Sequence, residues 1–246
     1  MPKTTTAKAA VLAFPRRVYR VAELEKHGIS QSKSYRWARA DGPWTRLAPG
    51  IVLVAAGQPT IRDRIDAALL RAGPGAMVTG LHAAKLHGLK SPPDDAEIHV
   101  LIPHSRKIQS YAGTRFERTT RLPKPVMVDG IPVAPPVRAV MDGARSWLRT
   151  ALAKRLLFEA IREENCCGFR DLVTEMNSGS RRGTAVPRAI LRRHRGELET
   201  PRVLPVRVHE GAHDPSPAPP SPIGSLGRTL RETFLHRFLP RSLVRT

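Results

Sequence analysis

One stretch of the chain combines the side chains that proteins use to bind nucleic acids. Between Ser30 and Ala40 the sequence has three cationic residues and no acidic one. Arginine and lysine contact phosphates and the acceptor atoms of guanine, and serine and glutamine hydrogen-bond to base edges. We therefore assign DNA contacts to the polar side chains of this stretch, which are Gln31, Ser32, Lys33, Tyr35, Arg36 and Arg39.

Two short helices are predicted to position these side chains. The first covers Val21–His27, and Gly28 ends it, as a glycine just past the last turn commonly does. Ser30 is a good N-cap for the second helix, which is predicted to run to about Ala40. The spacing of Ser34, Trp37 and Ala38 turns these three residues inward, so the polar side chains lie on the opposite face.

Helix, tight turn and cationic helix form a helix-turn-helix pattern. In this motif the N-terminal part of the second helix reaches base edges. Arg39, further along, is expected nearer the DNA backbone. The residues expected toward the major groove are Gln31, Ser32, Lys33 and Arg36.

The residues that follow resemble a wing. Two strands are predicted, over Trp44–Leu47 and Ile51–Val54, with a turn at Ala48-Pro49-Gly50 between them. Arg46 in this ribbon is expected to hold phosphates or the minor groove, together with three arginines that precede the first helix, Arg16, Arg17 and Arg20. Trp37 and Trp44 are assigned to packing. The alternative is a small structural helical hairpin with a solvated basic face.

The charge of the whole chain points to the same class of partner. The 246 residues carry a formal net charge of +20, and 41% of them are hydrophobic, which is enough for a core. Such a charge favours a polyanion, and nucleic acid is the default. An anionic membrane surface would need an apolar insertion face or a lipidation signal, and we find neither. No apolar run approaches the ~20 residues of a membrane helix, so we expect a cytoplasmic protein.

The order of predicted elements indicates an α+β protein. We divide it into a flexible lead-in over residues 1–14, a winged helix-turn-helix over residues 15–56, a mixed α/β body over residues 57–199 and a Pro-rich, largely disordered tail over residues 200–246. In the body, Thr60 is predicted to cap a helix whose buried stripe begins at Ile61. The Asp129-Gly130 pair predicts a hairpin turn, and Pro132 predicts that the returning strand is an edge or irregular strand. The longest helix is predicted over 148–164, and a terminal helix over 226–239.

Catalytic chemistry finds no support in the sequence. A metal-dependent nuclease needs an acid followed by an acid-x-Lys motif, and the nearest match is Asp94 with Glu97-Ile98-His99. Its spacing is too short and a histidine replaces the lysine, so we interpret it as a loop that enters a strand. Cys166 and Cys167 are adjacent, which suits neither a disulfide framework nor a zinc site. We predict a protein that is not an enzyme, with no catalytic residue, metal or cofactor.

The order of several stretches resembles the AbiEi-type antitoxins of type IV toxin–antitoxin systems. The matching stretches are GIS (28–30), WTRLAPGIVLVA (44–55), TGLHAAKLHGL (79–89), VDGIPVAPPVRAVMD (128–142) and SRRGTAVPRAIL (180–191). The resemblance covers residues 14–195 and rests on the order rather than on one motif. It implies a DNA-binding autorepressor and antitoxin whose winged helix binds double-stranded operator DNA. The body would contact a nucleotidyltransferase-type toxin or a second protomer of a homodimer.

The sequence departs from this family in three places, and one of them is Val52, where the wing of family members often carries an aromatic residue. Family members often read Ser-His-x-Ser-Ala-Ala where this chain has Thr79-Gly80-Leu81-His82-Ala83-Ala84. Related chains often continue into a segment that resembles a very-short-patch-repair endonuclease, whereas the residues from Pro201 onward include eight prolines and do not. The alternative function is therefore a DNA-cleaving nuclease-related protein with a degenerate or missing C-terminal endonuclease domain.

Overall fold

Two β-sheets flank one shared helix in the computed structural model. The structure describes residues 16–55, 57–146, 150–162 and 166–199. These residues belong to a single unit that runs from Met1 to Val203. The expectations for the lead-in, for the tail from residue 200 and for the helix over 226–239 lie outside the described residues.

Helices and strands are mixed along the first two thirds of the described chain, and only helices follow. In chain order they are β1 (Val18–Arg20), α1 (Val21–Lys26), α2 (Gln31–Trp37), β2 (Thr45–Ala48), β3 (Ile51–Leu53), α3 (Ile61–Ala72), β4 (Met77–Thr79), α4 (Gly80–Leu86), β5 (Ile98–Pro103), β6 (Thr114–Thr119), β7 (Val126–Val128), β8 (Ile131–Val133), α5 (Pro136–Ser146), α6 (Thr150–Arg162), α7 (Phe169–Ser178), α8 (Ala185–Arg193) and α9 (Arg195–Glu199). The predicted α+β class is confirmed.

The N-terminal sheet has three antiparallel strands in the order β1-β3-β2. β1 was not predicted, because three residues that include an arginine show no pattern of their own. It forms because Val18 pairs with Leu53 and Tyr19 with Val52 of β3. The sheet and the first two helices enclose a small core of Tyr19, Val21, Leu24, Ile29, Trp44, Val52 and Val54.

Helix α3 packs against both sheets. Ala67 and the half-buried Leu70 face the N-terminal sheet, while Ile65 and Ala68 belong to the core under the second sheet. Thr60 caps the helix as predicted: its hydroxyl accepts from the Asp63 N–H at 3.1 Å. The predicted stripe is wrong at Ile61, which is 45% exposed. Because the helix is covered on two faces, its buried side is not one i, i+4 stripe, and its first residue faces solvent.

The second sheet has five strands in the order β6-β5-β4-β8-β7. β5 and β6 are parallel, as are β4 and β8, and the other pairs are antiparallel. The predicted hairpin turn is confirmed, because Asp129 and Gly130 both have positive φ, 48° and 74°. The edge position predicted from Pro132 is wrong. β8 lies between β4 and β7, and its bond to β4 runs from the Ala134 N–H to the Val78 carbonyl at 2.8 Å, which does not require an N–H at Pro132.

The C-terminal helices pack around α5. Their shared core contains Val140 and Met141 of α5, Leu156 and Leu157 of α6, Leu172 of α7 and Leu191 of α8. The helix predicted over 148–164 is present as α6, Thr150–Arg162, and the residues on either side of it lie outside the described residues. Across the described ranges, we find no helix with the length and apolar character needed to cross a membrane.

Candidate nucleic-acid interface

A tight turn fixes α2 against α1. Gly28 adopts a φ of +78°, and Ile29 is buried and donates its N–H to the Leu24 carbonyl at 3.0 Å. Ser30 then caps α2 by accepting from the Lys33 N–H. The helix ends at Trp37 and not at the predicted Ala40. The Trp37 carbonyl accepts from the Trp44 N–H at 3.0 Å, so the chain turns back instead of continuing the helical ladder.

One face of α2 is buried and the other is open. Ser34 is fully buried, and Trp44 packs edge-on against Trp37 with ring centroids 4.7 Å apart. Both tryptophans serve packing, as predicted. Gln31, Ser32 and Arg36 are exposed on the helix, and Arg39 is exposed in the turn after it, together with Ala40, Asp41 and Pro43. Gln31, Ser32, Arg36 and Arg39 are four of the six residues of this stretch to which the sequence assigned DNA contacts.

Two cation–aromatic contacts flank the open face. The Lys33 ammonium lies 4.7 Å from the Trp37 ring centroid, and the Arg46 guanidinium carbon lies 5.8 Å from that of Tyr35. Lys33 and Tyr35 are half-buried, whereas Arg46 on β2 is exposed. The structure thus brings Arg46 of the β2–β3 hairpin next to Tyr35 on the cationic helix α2.

The three arginines before α1 have different surroundings. Arg16 is exposed, lies over the Tyr19 ring at 4.9 Å and is 3.4 Å from Glu23. Arg17 is 3.3 Å from the buried carboxylate of Asp63 on α3, and Arg20 donates to the Leu70 carbonyl on the same helix. Arg17 and Arg20 therefore tie β1 to α3, a role that the sequence did not reveal because their partners lie 46 and 50 positions away.

A second polar cluster, which the sequence did not reveal, lies on the face of the second sheet toward α5. Asp142 accepts hydrogen bonds of 2.8 Å from the Thr79 hydroxyl and from Arg138 Nε. Arg138 also donates to Glu175 at 3.4 Å. Burial would lower the pKa of Arg138, but the carboxylates around it outweigh burial and raise that pKa. Each charge in this cluster has an opposite charge beside it, which is typical of a structural network.

His99 extends this cluster. Arg115 donates to His99 Nδ1 at 2.8 Å, so the ring proton is on Nε2 and is donated to Glu117 at 3.0 Å. This hydrogen bond lowers the pKa of Glu117. Asp94, which the sequence placed beside His99 in a weak nuclease-like motif, pairs with Lys85 instead. Among the described residues, no three His, Cys, Asp or Glu side chains are grouped so that they could hold a metal ion.

The other motifs considered in the sequence have structural surroundings. His82 is buried, its Nε2 lies 2.7 Å from the Ala96 carbonyl, and burial lowers its pKa. The Cys166 and Cys167 sulfurs are 3.9 Å apart, and the hydrogen bond between them together with burial raises the pKa of Cys167. The 179–183 loop exposes Arg181 and Arg182 to solvent.

Comparisons with known proteins show a likeness in fold. No protein-family model matches the sequence, and no curated protein does so. The fold is similar to the crystal structure of the RV2827C protein from Mycobacterium tuberculosis, with a TM-score of 0.51. The two sequences are 16% identical, and the match covers 76% of this chain and 75% of that chain. At this identity the likeness concerns the arrangement of helices and strands alone.

Proposed function

We propose that this protein is a DNA-binding transcriptional regulator that reads duplex DNA with α2 of an N-terminal winged helix-turn-helix. The observation that carries the proposal is the open face of α2. Gln31, Ser32 and Arg36 are exposed there and Arg39 is exposed in the turn that follows the helix, while Ser34 on the opposite face is buried. An amphipathic helix whose open face holds only cations and neutral hydrogen-bonding groups suits a polyanion.

The surroundings of α2 support a duplex as the ligand. A helix of this kind fits the major groove, and flanking cations then lie near the phosphates. Arg46 on the β2–β3 hairpin and Arg16 before α1 are exposed, which supports this role for them. Arg17 and Arg20 remain predicted phosphate contacts, although their bonds to α3 give them a structural role as well.

We propose further that the regulator is the antitoxin and autorepressor of a type IV toxin–antitoxin system. The support is the resemblance of residues 14–195 to the AbiEi-type antitoxins, together with a body that is larger than DNA binding alone needs. In this proposal the chain is not catalytic. Its partners are operator DNA and a nucleotidyltransferase-type toxin.

Selection from randomised duplexes tests the DNA-binding proposal. The full chain should enrich one sequence motif, and it should leave the duplex uncut in the presence of Mg²⁺. A double variant, Arg36→Ala with Arg39→Ala, should lose the enrichment. Arg192→Ala with Arg193→Ala is the matched control, because it removes two exposed arginines from α8 and changes the net charge equally. Enrichment of no motif by the unaltered chain would refute the proposal.

Co-expression with the adjacent reading frame tests the antitoxin role. The neighbour should encode a nucleotidyltransferase-type protein that arrests growth, and this chain should restore growth. Continued arrest in the presence of the folded chain would leave a regulator with no antitoxin role.

A further inference from the structure

A cationic cavity lies between the end of α3 and the edge strand β6. Its volume is about 880 Å³, and it is open to solvent. Three cationic side chains and one amide line it, and no acidic side chain of the described ranges does. A concave surface with several positive charges and no negative one favours an anion as its ligand. The lining residues are Arg71, Lys107, Ile108, Gln109 and Arg118.

The loop between β5 and β6 brings these side chains together. At its start, Arg106 Nη1 donates to the Ala72 carbonyl in the last turn of α3 at 3.0 Å. At its end, the Ser110 hydroxyl accepts from the Phe116 N–H of β6 at 3.0 Å. The loop residues 107–109 are therefore held between the end of α3 and β6.

Strand alternation places Arg118 on the α3 side of the sheet. Phe116, two positions earlier on β6, belongs to the core that α3 covers, so the side chain of Arg118 leaves the strand on the same face. Glu117 lies on the opposite face, where it accepts from His99. The sheet thus separates the neighbouring acid from the cavity.

The cations of the cavity are not neutralised by the described part of the chain. Lys107 and Arg118 are exposed, and neither makes an ion pair with another described residue. Arg71 donates to the Pro49 carbonyl at 3.1 Å, and its guanidinium carbon lies 5.9 Å from the Tyr111 ring centroid. Its Nε is buried and has no acceptor among these residues. Buried N–H groups of native proteins nearly always have an acceptor, so this one points to a ligand.

We propose that Arg71, Lys107 and Arg118 bind a phosphate group. A phosphate has oxygens on all sides, so cations from three elements can contact it at once, whereas a carboxylate has two oxygens in one plane. One source of the group is a small phosphorylated molecule. Arg71 also lines a smaller cavity beside Gln31 and Tyr35 of α2, which makes the backbone of a duplex bound at α2 the other source. Only this second source rests on the proposed DNA-binding function.

Calorimetry of the full chain with pyrophosphate, in the absence of DNA, tests the site. The wild type should bind pyrophosphate. Lys107→Ala with Arg118→Ala should raise the dissociation constant at least about ten-fold, because two charge-assisted contacts are lost. The melting temperature of this variant should stay unchanged, since both side chains are exposed. Arg192→Ala with Arg193→Ala is the matched control, because it removes the same charge from α8 and should leave the dissociation constant unchanged.

Acetylation of lysines locates the bound phosphate and identifies its source. Pyrophosphate should protect Lys107 from acetylation, measured by mass spectrometry, and should leave the exposed Lys124 reactive. Protection of Lys107 by a selected duplex but not by pyrophosphate would assign the phosphate to DNA. The proposal is overturned if neither ligand protects Lys107, or if Lys107 and Lys124 are protected alike. If the chain binds no DNA, the result with pyrophosphate alone decides.

Discussion

In the proposed DNA complex, we expect Arg39 to contact the DNA backbone and not a base. It follows the last residue of α2 by two positions, and it is exposed. Phosphate contacts carry no sequence information, so Arg39→Ala should weaken binding to every duplex by the same factor. The dependence of log K on log salt should fall by about one unit. Arg193→Ala should leave that slope unchanged, and an effect confined to one sequence would show that Arg39 reads a base.

Asp63 joins the N-terminal elements to α3 through several bonds. Its buried carboxylate accepts from the Thr60 N–H at 2.9 Å and the Thr60 hydroxyl at 2.7 Å, and it lies 3.3 Å from Arg17. Asp63→Ala removes this helix-capping carboxylate and leaves Arg17 without its partner. We expect a loss of about 1–3 kcal/mol in the free energy of unfolding, measured in urea. Arg17→Ala should cost less, because half of that side chain is exposed to water.

The reverse order, with Arg17→Ala more damaging than Asp63→Ala, would contradict this assignment. It would mean that the hydrogen bonds from Thr60 to the Asp63 carboxylate contribute little to the free energy of unfolding. Equal losses for the two variants would mean that the ion pair carries the whole contribution and that the cap at Thr60 carries none.

His82 makes the stability of the fold depend on pH. Its pKa is lowered from 6.5 by burial, so the unfolded chain binds the proton more tightly than the folded chain. The contribution of His82 is therefore complete above pH 6.5 and is lost as pH falls through the lowered pKa. In urea unfolding, the stability difference between wild type and His82→Gln should shrink from pH 7.5 to pH 5.5. A difference that is constant across this range would show that His82 is not held neutral by burial.

At the scale of elements, the end of α2 depends on Gly42. A Cβ at this position would lie 2.0 Å from the Trp37 carbonyl oxygen, so the chain can turn back from α2 to β2 only if residue 42 has no side chain. Gly42→Ala should lower both the melting temperature and the affinity for DNA, because α2 and the β2–β3 hairpin must separate. Gly196→Ala is the matched control: a Cβ there meets nothing within 4 Å, and stability should not fall.

The outcome that would contradict this argument is Gly42→Ala with unchanged stability. A loss of stability with unchanged DNA affinity would instead show that DNA binding does not depend on the position of the β2–β3 hairpin.

Local signals predicted many of the elements. Gly28 and Ser30 predicted the break between α1 and α2, Thr60 predicted the start of α3, and Asp129-Gly130 predicted the β7–β8 turn. Each of these depends on residues within four positions, as capping and turns do. β1 could not be predicted in this way, because Val18–Arg20 becomes a strand only by pairing with β3. Likewise, α2 ends before the predicted Ala40 because the Trp44 N–H donates a hydrogen bond to the Trp37 carbonyl.

The same distinction applies to the candidate site. The open face of α2 could be predicted, because inward and outward residues alternate with the helical period. The bonds of Arg17 and Arg20 to α3 could not, nor could the cluster around Asp142 and Arg138. These contacts join residues that only the sheet topology brings together, and Thr79 is 63 positions from Asp142.

At the scale of the whole molecule, the net charge explains attraction to nucleic acid but not the choice of a DNA sequence. The net charge of +20 attracts any polyanion, and it does not by itself distinguish one DNA sequence from another. In the proposed function, selectivity comes from the few side chains on α2 that we expect to reach base edges.

Recognition by α2 is tested most directly by a salt titration of the wild type and of Arg36→Ala on two duplexes, one selected by the protein and one scrambled. The wild type should bind the selected duplex more tightly at every salt concentration. Arg36→Ala should lose about 1–3 kcal/mol on the selected duplex and discriminate less at one base pair. On the scrambled duplex it should differ little. Equal affinity of the wild type for both duplexes, or an unchanged affinity of Arg36→Ala for the selected one, would contradict recognition by α2.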